Sequence, residues 1–364
     1  MKSFVGIAAF GLICCTGTPS LRAQPAVITF DVSGAGTAAG EGTFAYGINQ
    51  AGSIVGYYLD AGRVNHGFMR DSDGAVTTFD VPGMGVNVNQ GTFAVAINDA
   101  GEITGYYSDT HGAYRGFVRG AGGTFTTFEP PAATNYVGYG TYSVSINDAG
   151  DVAGYFADTT GAYEGFVRAS NGAITTIIVP GAGTGLKEGT LAYGINNSGE
   201  VVGYFERFQY YGFLESSEGT ITRFLGPGRH SGGAGDGTLG LAINEAGDVT
   251  GRDVYEGISY GFVRTGEGTT TAFQAPGAGS GYLLGTWSES INGAGDVAGY
   301  YQNDGFVYGG FVRTGDGKIT SFQVPGAGTA EFTGTIGRGI NDAGMVAGYC
   351  WDANNVGHGF LLTP

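Results

Sequence analysis

Carboxylates recur on a fixed grid in this chain of 364 residues. Asp60, Asp109 and Asp158 lie 49 residues apart, Asp352 takes the same repeat position near the end of the sequence, and Asn303 is its equivalent one repeat earlier. Ca²⁺ is a hard cation that takes oxygen ligands, so a ring of such carboxylates is one candidate metal site. The competing reading is an Asp that only ends a strand. Equivalent positions on neighbouring repeats point apart, whereas ligands must converge within a few ångströms. That geometry favours the strand-ending role and a chain without a cofactor. Asp109 and Asp158 would also suit a hydrolase or lyase, but paired carboxylates need a separation of roughly 5–10 Å.

Other chemistry is sparse. Of the four histidines (66, 111, 230 and 358), His66 and His358 share a repeat position, but two His without a third ligand make a poor zinc site. The sequence contains no His-Glu-x-x-His and no Gly-x-Ser-x-Gly. Gly235-Asp236-Gly237-Thr238-Leu239-Gly240 spells the dinucleotide loop by letters, but it precedes a strand instead of opening a helix. Asp71-Ser72-Asp73-Gly74 begins like a calcium loop yet lacks the downstream Glu. No residue is assigned a catalytic role.

Two further sets stand out. Glu289 and Arg338 occupy the fourth position of a repeated strand where the other repeats carry Tyr46, Val95, Val144, Tyr193 and Leu241. Adjacent repeats holding opposite charges predict a partly buried ion pair, structural in the first instance and ligand-binding or acid/base in the second. Tyr136, Tyr139, Tyr210, Tyr211, Tyr282 and Trp351 fall between strands at irregular positions. Their faces would stack on sugar rings or pack their own loops.

The elements that must position these residues follow from one period. Ile-Asn occurs at Ile48, Ile97, Ile146, Ile195, Ile243, Ile291 and Ile340, at intervals of 48 or 49 residues. Each copy reads as four short strands of period-2 alternation. The first follows Gly-Thr and ends at Ile-Asn. An Asn-x-Ala/Ser-Gly turn leads to a second such as Ile54-Val55-Gly56-Tyr57-Tyr58, the third carries Gly-Phe, and the fourth stops at Pro-Gly. Asn folds its side chain onto the turn and Gly supplies positive φ. A unit of about 49 residues with four antiparallel strands has the size of a propeller blade. Residues 27–32 read as a fourth strand with no blade before it, and the final copy lacks its fourth strand. The chain is therefore expected to be all-β: a seven-bladed β-propeller of four-stranded antiparallel blades, closed by the N-terminal strand completing the last blade, as one domain over 24–364.

Within that frame the repeated Asn are expected to cap turns. The repeated Thr (43, 92, 141, 190, 238, 286 and 335) should satisfy backbone groups between blades. Arg70, Arg119, Arg168, Arg264 and Arg313 end third strands beside acidic turns such as Asp99, Glu102, Asp148 and Asp151, which predicts surface ion pairs. Tyr57, Tyr106, Tyr155, Tyr204 and Tyr300 should pack the blades.

The Asn-Asp-Ala-Gly turn, the Gly-Tyr-Tyr strand and the His-Gly-Phe of His66-Gly67-Phe68 and His358-Gly359-Phe360 resemble the extracellular HAF-repeat family. Five copies replace that His with Arg115, Glu164, Tyr211, Tyr260 or Gly309, so the match to the tripeptide is partial. The resemblance implies a secreted bacterial repeat protein and carries no catalytic residue set.

Composition sets the compartment and partner class. Gly makes up 73 residues, about three times the usual share of roughly 7%, while 13% aromatics supply the core area a disordered chain lacks. A net charge of −16 with only 16 Lys and Arg argues against nucleic acid. Residues 1–23 show the basic start, apolar run and small-residue end of a signal peptide, and no later run is long enough to span a membrane. Their removal leaves Cys350 as the one thiol, so a disulfide framework is excluded. The expectation is a secreted, extracellular or periplasmic monomer, binding an extracellular glycan or protein through its loop face.

Overall fold

The computed structural model describes residues 26–228 and 235–364. The signal-peptide segment and His230 lie outside the described residues. Those described contain strands and no helix, so none is long and apolar enough to cross a membrane.

Each repeat folds as a four-stranded antiparallel blade. In the first, Gly42–Ile48 pairs with Ile54–Leu59, that strand with Asn65–Arg70, and that one with Val76–Phe79. The outermost strand of the seventh repeat is supplied by Ala26–Phe30, which pairs antiparallel with Gly357–Thr363, Ala26 opposite Thr363 and Phe30 opposite Gly359. The Phe of each Gly-Phe is fully buried, from Phe68 to Phe360. Burial of one such ring is worth about 1.5–3 kcal/mol. Outer-strand aromatics meet these rings edge-on, as Phe30 does Phe68 at 5.9 Å.

Neighbouring blades are joined by backbone. Gly91 opens the inner strand of the second repeat at φ +120°, and a Cβ there would lie 2.0 Å from the Asn65 carbonyl oxygen. Only glycine allows that approach. The Thr that follows reaches back to the preceding blade: Thr92 Oγ1 accepts from Val81 N at 3.0 Å, and Thr43, Thr190, Thr286 and Thr335 repeat the bond. Thr141 departs from this. Pro130 occupies the donor position and has no N–H, and Thr141 Oγ1 is buried without a partner.

The repeated Asn does more than cap its turn. Asn98 Oδ1 accepts from Glu102 N, while its Nδ2 donates to the Asn147 carbonyl of the next repeat at 3.0 Å. Asn49, Asn147, Asn196, Asn244 and Asn292 donate likewise to the repeat that follows each, and Asn341 donates to Asn49. One side chain therefore closes a turn and ties two blades.

The expected Arg surface pairs are corrected. No ion pair within 4 Å joins these five Arg to the acidic turns among the described residues. Instead Arg70 lies over Phe30, Arg119 over Phe79 and Arg313 over Phe273, at 4.9–5.3 Å from the ring centres, with Arg168 and Arg264 in the same arrangement. An aromatic face on the preceding blade outcompetes a solvated carboxylate because the aliphatic stem is buried with it.

Candidate functional site

Every inner strand carries a β-bulge three residues after its repeated Thr. Register shifts fall between Ala45 and Gly47, Ser288 and Ser290, and Gly337 and Gly339, with the same irregularity in the other inner strands. Bulges re-aim side chains. Tyr46, Val95, Val144, Tyr193, Leu241, Glu289 and Arg338 are the bulged residues, and all of them line one cavity of about 660 Å³.

The structure brings Glu289 and Arg338 together on this wall. Arg338 Nη1 donates to Glu289 Oε2 at 2.8 Å and Nη2 to Tyr349 Oη at 3.4 Å, while Nε is buried without a partner. The guanidinium sits over Tyr46, Tyr300 and Tyr349, 4.9–5.7 Å from their centres. Burial alone would lower the Arg338 pKa, but the Glu289 carboxylate together with the Tyr349, Tyr46 and Tyr300 phenols outweighs it, and the value is raised well above the usual one. Burial pushes the Tyr349 phenol up to about 12, with Arg338 pulling the other way. Neither group titrates near neutrality.

Tyr106, Tyr155, Tyr204 and Tyr300 of the second strands complete the cavity wall, and second-strand rings stack on inner-strand rings. Tyr46 and Tyr57 stack at 5.3 Å, Tyr193 and Tyr204 at 5.4 Å, and Trp287 and Tyr300 at 5.2 Å with planes 6° apart. In the fifth repeat the equivalent residue is Arg252, opposite Leu239, and it also lines the cavity. Sequence reasoning missed Arg252. Its signal was available: Gly251-Arg252-Asp253 stands where other repeats have Gly-Tyr-Tyr or a close variant.

The repeated Asp residues do not converge. Asp60 Oδ1 accepts from Val64 N, Asp158 Oδ1 from Thr160 and Ala162 N, and Asp352 Oδ1 from Asn354 and Val356 N, each within its own turn. Asp109 accepts from His111 and Ala113 N and from Arg115 Nε. In all four, burial works to raise the pKa and is outweighed, by turn donors at each and also by Arg115 at Asp109, His66 at Asp60 and His358 at Asp352, leaving the carboxyl below its usual value. Among the described residues no three His, Cys, Asp or Glu are grouped to hold a metal ion. His66 Nδ1 faces Asp80 at 2.9 Å and His358 Nδ1 faces Asp31 at 2.8 Å, each imidazole on its own blade.

The six aromatics scatter. Tyr210 and Tyr211 are corrected from loop to strand: Gln209–Glu215 follows Val201–Arg207 through the single residue Phe208. That tight hairpin pulls both rings onto the blade, Tyr211 stacking on Phe205 at 5.0 Å and Tyr210 meeting Tyr204 edge-on. Trp351 ends a second strand and, with Tyr300, Tyr308, Tyr349 and Arg338, lines a smaller cavity of about 390 Å³. Tyr139 is half-buried in its loop. Tyr136 and Tyr282 are exposed, on loops of different repeats.

Loop tips carry a signal the sequence did not expose. The two connections on this face meet in pairs, Asn89 N donating to Arg63 O and Phe332 N to Phe306 O, with both partners at positive φ. Gly or Asn suits such backbone, and Gly40, Asn89, Gly138 and Gly235 supply it. Phe208, Leu283, Phe306 and Phe332 hold φ of +59 to +68° instead. Phe208 is 73% exposed and Leu283 63%, and Phe306 and Phe332 pack ring to ring at 5.7 Å.

No protein-family model matches this chain, and neither does any curated protein. Solved structures do. The β-propeller domain of the trilobed protease from Pyrococcus furiosus is similar at TM-score 0.54 and 9% identity, over 88% of this chain and 93% of that one. TolB from Acinetobacter baumannii (TM-score 0.45, 10% identity, 93% and 80% covered) and the Aleuria aurantia lectin in complex with Fucalpha1-6GlcNAc (0.44, 13%, 81% and 96%) are looser likenesses. The first shows a shared fold, the β-propeller.

Proposed function

We propose that this chain is a secreted, monomeric binding protein without enzymatic activity, a closed propeller of seven blades that presents its loop face to an extracellular polysaccharide. The pairing of Ala26–Phe30 with Gly357–Thr363 and the Asn341 to Asn49 hydrogen bond support closure. The HAF-like repeat signature supports the extracellular setting. The observation that carries the binding role is the set of large apolar side chains held in left-handed loop tips. Non-glycine residues there cost about 1–3 kcal/mol each, and the exposed Phe208 and Leu283 gain little for the fold in return. A partner that covers them accounts for both.

Loop-tip variants Leu283→Gly, Phe306→Gly and Phe332→Gly test the proposal, because the turn itself prefers glycine. A panel of neutral and acidic polysaccharides titrated against the full chain should show binding that these variants weaken while thermal stability holds or rises. Unchanged binding in all three, or binding of envelope proteins alone, contradicts the polysaccharide reading. Turnover of a polysaccharide that disappears in Asp109→Asn or Asp158→Asn would establish the rival hydrolase or lyase.

A further inference from the structure

The large cavity has an electrostatic character opposite to that of the chain. The protein carries a net charge of −16, yet the ionised side chains lining the cavity are Arg252, Arg338 and Glu289, two cations against one anion. Glu289 is taken by Arg338. The Arg252 residue is half-buried and, among the described residues, its side chain makes neither a hydrogen bond nor an ion pair. A guanidinium offers five N–H donors, and those of Arg252 are open to a ligand in the cavity. Arg338, for its part, spends only two of its donors within hydrogen-bond reach.

Arg252, Arg338 and Tyr300 line the same cavity. Arg338 lies over the Tyr300 ring, and burial and then the Glu289 carboxylate raise the Tyr300 phenol, against the opposing pull of Arg338 and Arg252. Trp287 stacks flat on the same ring. The volume, about 660 Å³, falls within the range of small-molecule sites, roughly 300–1,000 Å³. Below the cavity, the Ile of each Ile-Asn lines both this space and a shallower one edged by Asp99, Asp148, Glu245 and Asp342. An anion is repelled from that acidic, apolar-collared side, so the approach is from the loop face.

We propose that this cavity is a binding site for a carboxylated sugar ring, with Arg252 and Arg338 holding the carboxylate and the Trp287–Tyr300 stack facing the ring. Guanidinium forks match a carboxylate in two-point geometry, and indole and phenol rings supply the flat apolar surface a pyranose face needs. A bare inorganic anion makes no use of the aromatic wall, and a neutral sugar makes no use of Arg252. The site is independent of the loop-tip surface.

Tryptophan fluorescence and calorimetric titration of the full chain with glucuronate, glucose, acetate and inorganic phosphate provide the test. Glucuronate should bind at least tenfold more tightly than the other three. Arg252→Tyr installs the residue that most other repeats carry, so it preserves the fold, verified by an unchanged melting temperature, and should weaken glucuronate at least tenfold. Arg252→Lys should recover part of that loss. A short oligoglucuronide distinguishes the source: tighter binding than the monosaccharide points to a polymer end, equal binding to the free sugar, and both support the site. Absence of glucuronate binding, equal binding of acetate or phosphate, or unchanged affinity in Arg252→Tyr overturns it. Polysaccharide binding lost only in the loop-tip variants would leave the loop-face reading standing while this one fails.

Discussion

Asn341 Nδ2 donates to the Asn49 carbonyl at 3.1 Å across 292 residues of sequence. The same side chain accepts from Met345 N to hold its own turn. Removing both bonds in Asn341→Ala should cost about 1–3 kcal/mol, since each hydrogen bond is worth about 0.5–1.5 kcal/mol. Asn341→Asp keeps the turn acceptor and loses the donor, so urea denaturation should place it between wild type and Ala. Equal loss in the two variants would show that the bond between repeats contributes nothing.

The Thr latch predicts a contrast within one protein. Thr92→Val strands the Val81 N–H and should destabilise by about 1–3 kcal/mol. Thr141→Val removes a hydroxyl that already has no partner and should be neutral or stabilising by thermal denaturation. Equal destabilisation would contradict the assignment of Pro130 as the cause.

Glu289 and Arg338 make a second contrast. Truncating one partner leaves the other charge uncompensated in the cavity wall. Their side chains keep 17% and 22% exposure, so solvent softens the penalty, and Glu289→Val or Arg338→Val alone should cost about 1–3 kcal/mol. The double variant restores an apolar residue of the kind found at Val95 and Val144 and should regain most of it. A double-mutant cycle with no coupling would contradict a stabilising pair.

The period was the most legible feature, because four alternating strands and their Asn-Gly turns are local chemistry repeated on a fixed interval. Glu289 and Arg338 were legible as departures from that repeat, and Arg252 would have been by the same criterion. What stayed hidden depends on neighbouring blades. The Asn amide donor, the Arg over a Phe of the preceding blade and the bulge that aims the fourth position inward all arise from pairings that no single repeat contains. Tyr210 and Tyr211 misled because the fourth repeat shortens its hairpin to Phe208, which turns what reads as a loop into strand.

Acid should weaken the loop face first. Asp60, Asp109, Asp158 and Asp352 have folded pKa values lowered by turn donors, with Arg115 foremost at Asp109 and His66 and His358 aiding at Asp60 and Asp352, which together outweigh burial. Such groups contribute stability above the unfolded pKa, near 3.9, and lose it as pH falls through the lower folded value. Melting temperature should be flat in this respect from pH 7 to 5 and fall below about pH 4. Asp158→Asn with Asp352→Asn keeps the turn acceptor, as Asn303 does at the equivalent site, and should flatten part of that fall. An unaltered acid limb would contradict the role of these caps.

Whether the two ends of the chain share one blade decides the geometry on which both binding surfaces rest. Ala26 and Thr363 face each other across that pairing. Cysteines placed at both positions, with buried Cys350 changed to Ser, should oxidise to an intramolecular disulfide in the monomer and raise the melting temperature reversibly with reductant. Free thiols that persist under oxidant, or disulfides formed only between molecules, would mean that the ends lie apart.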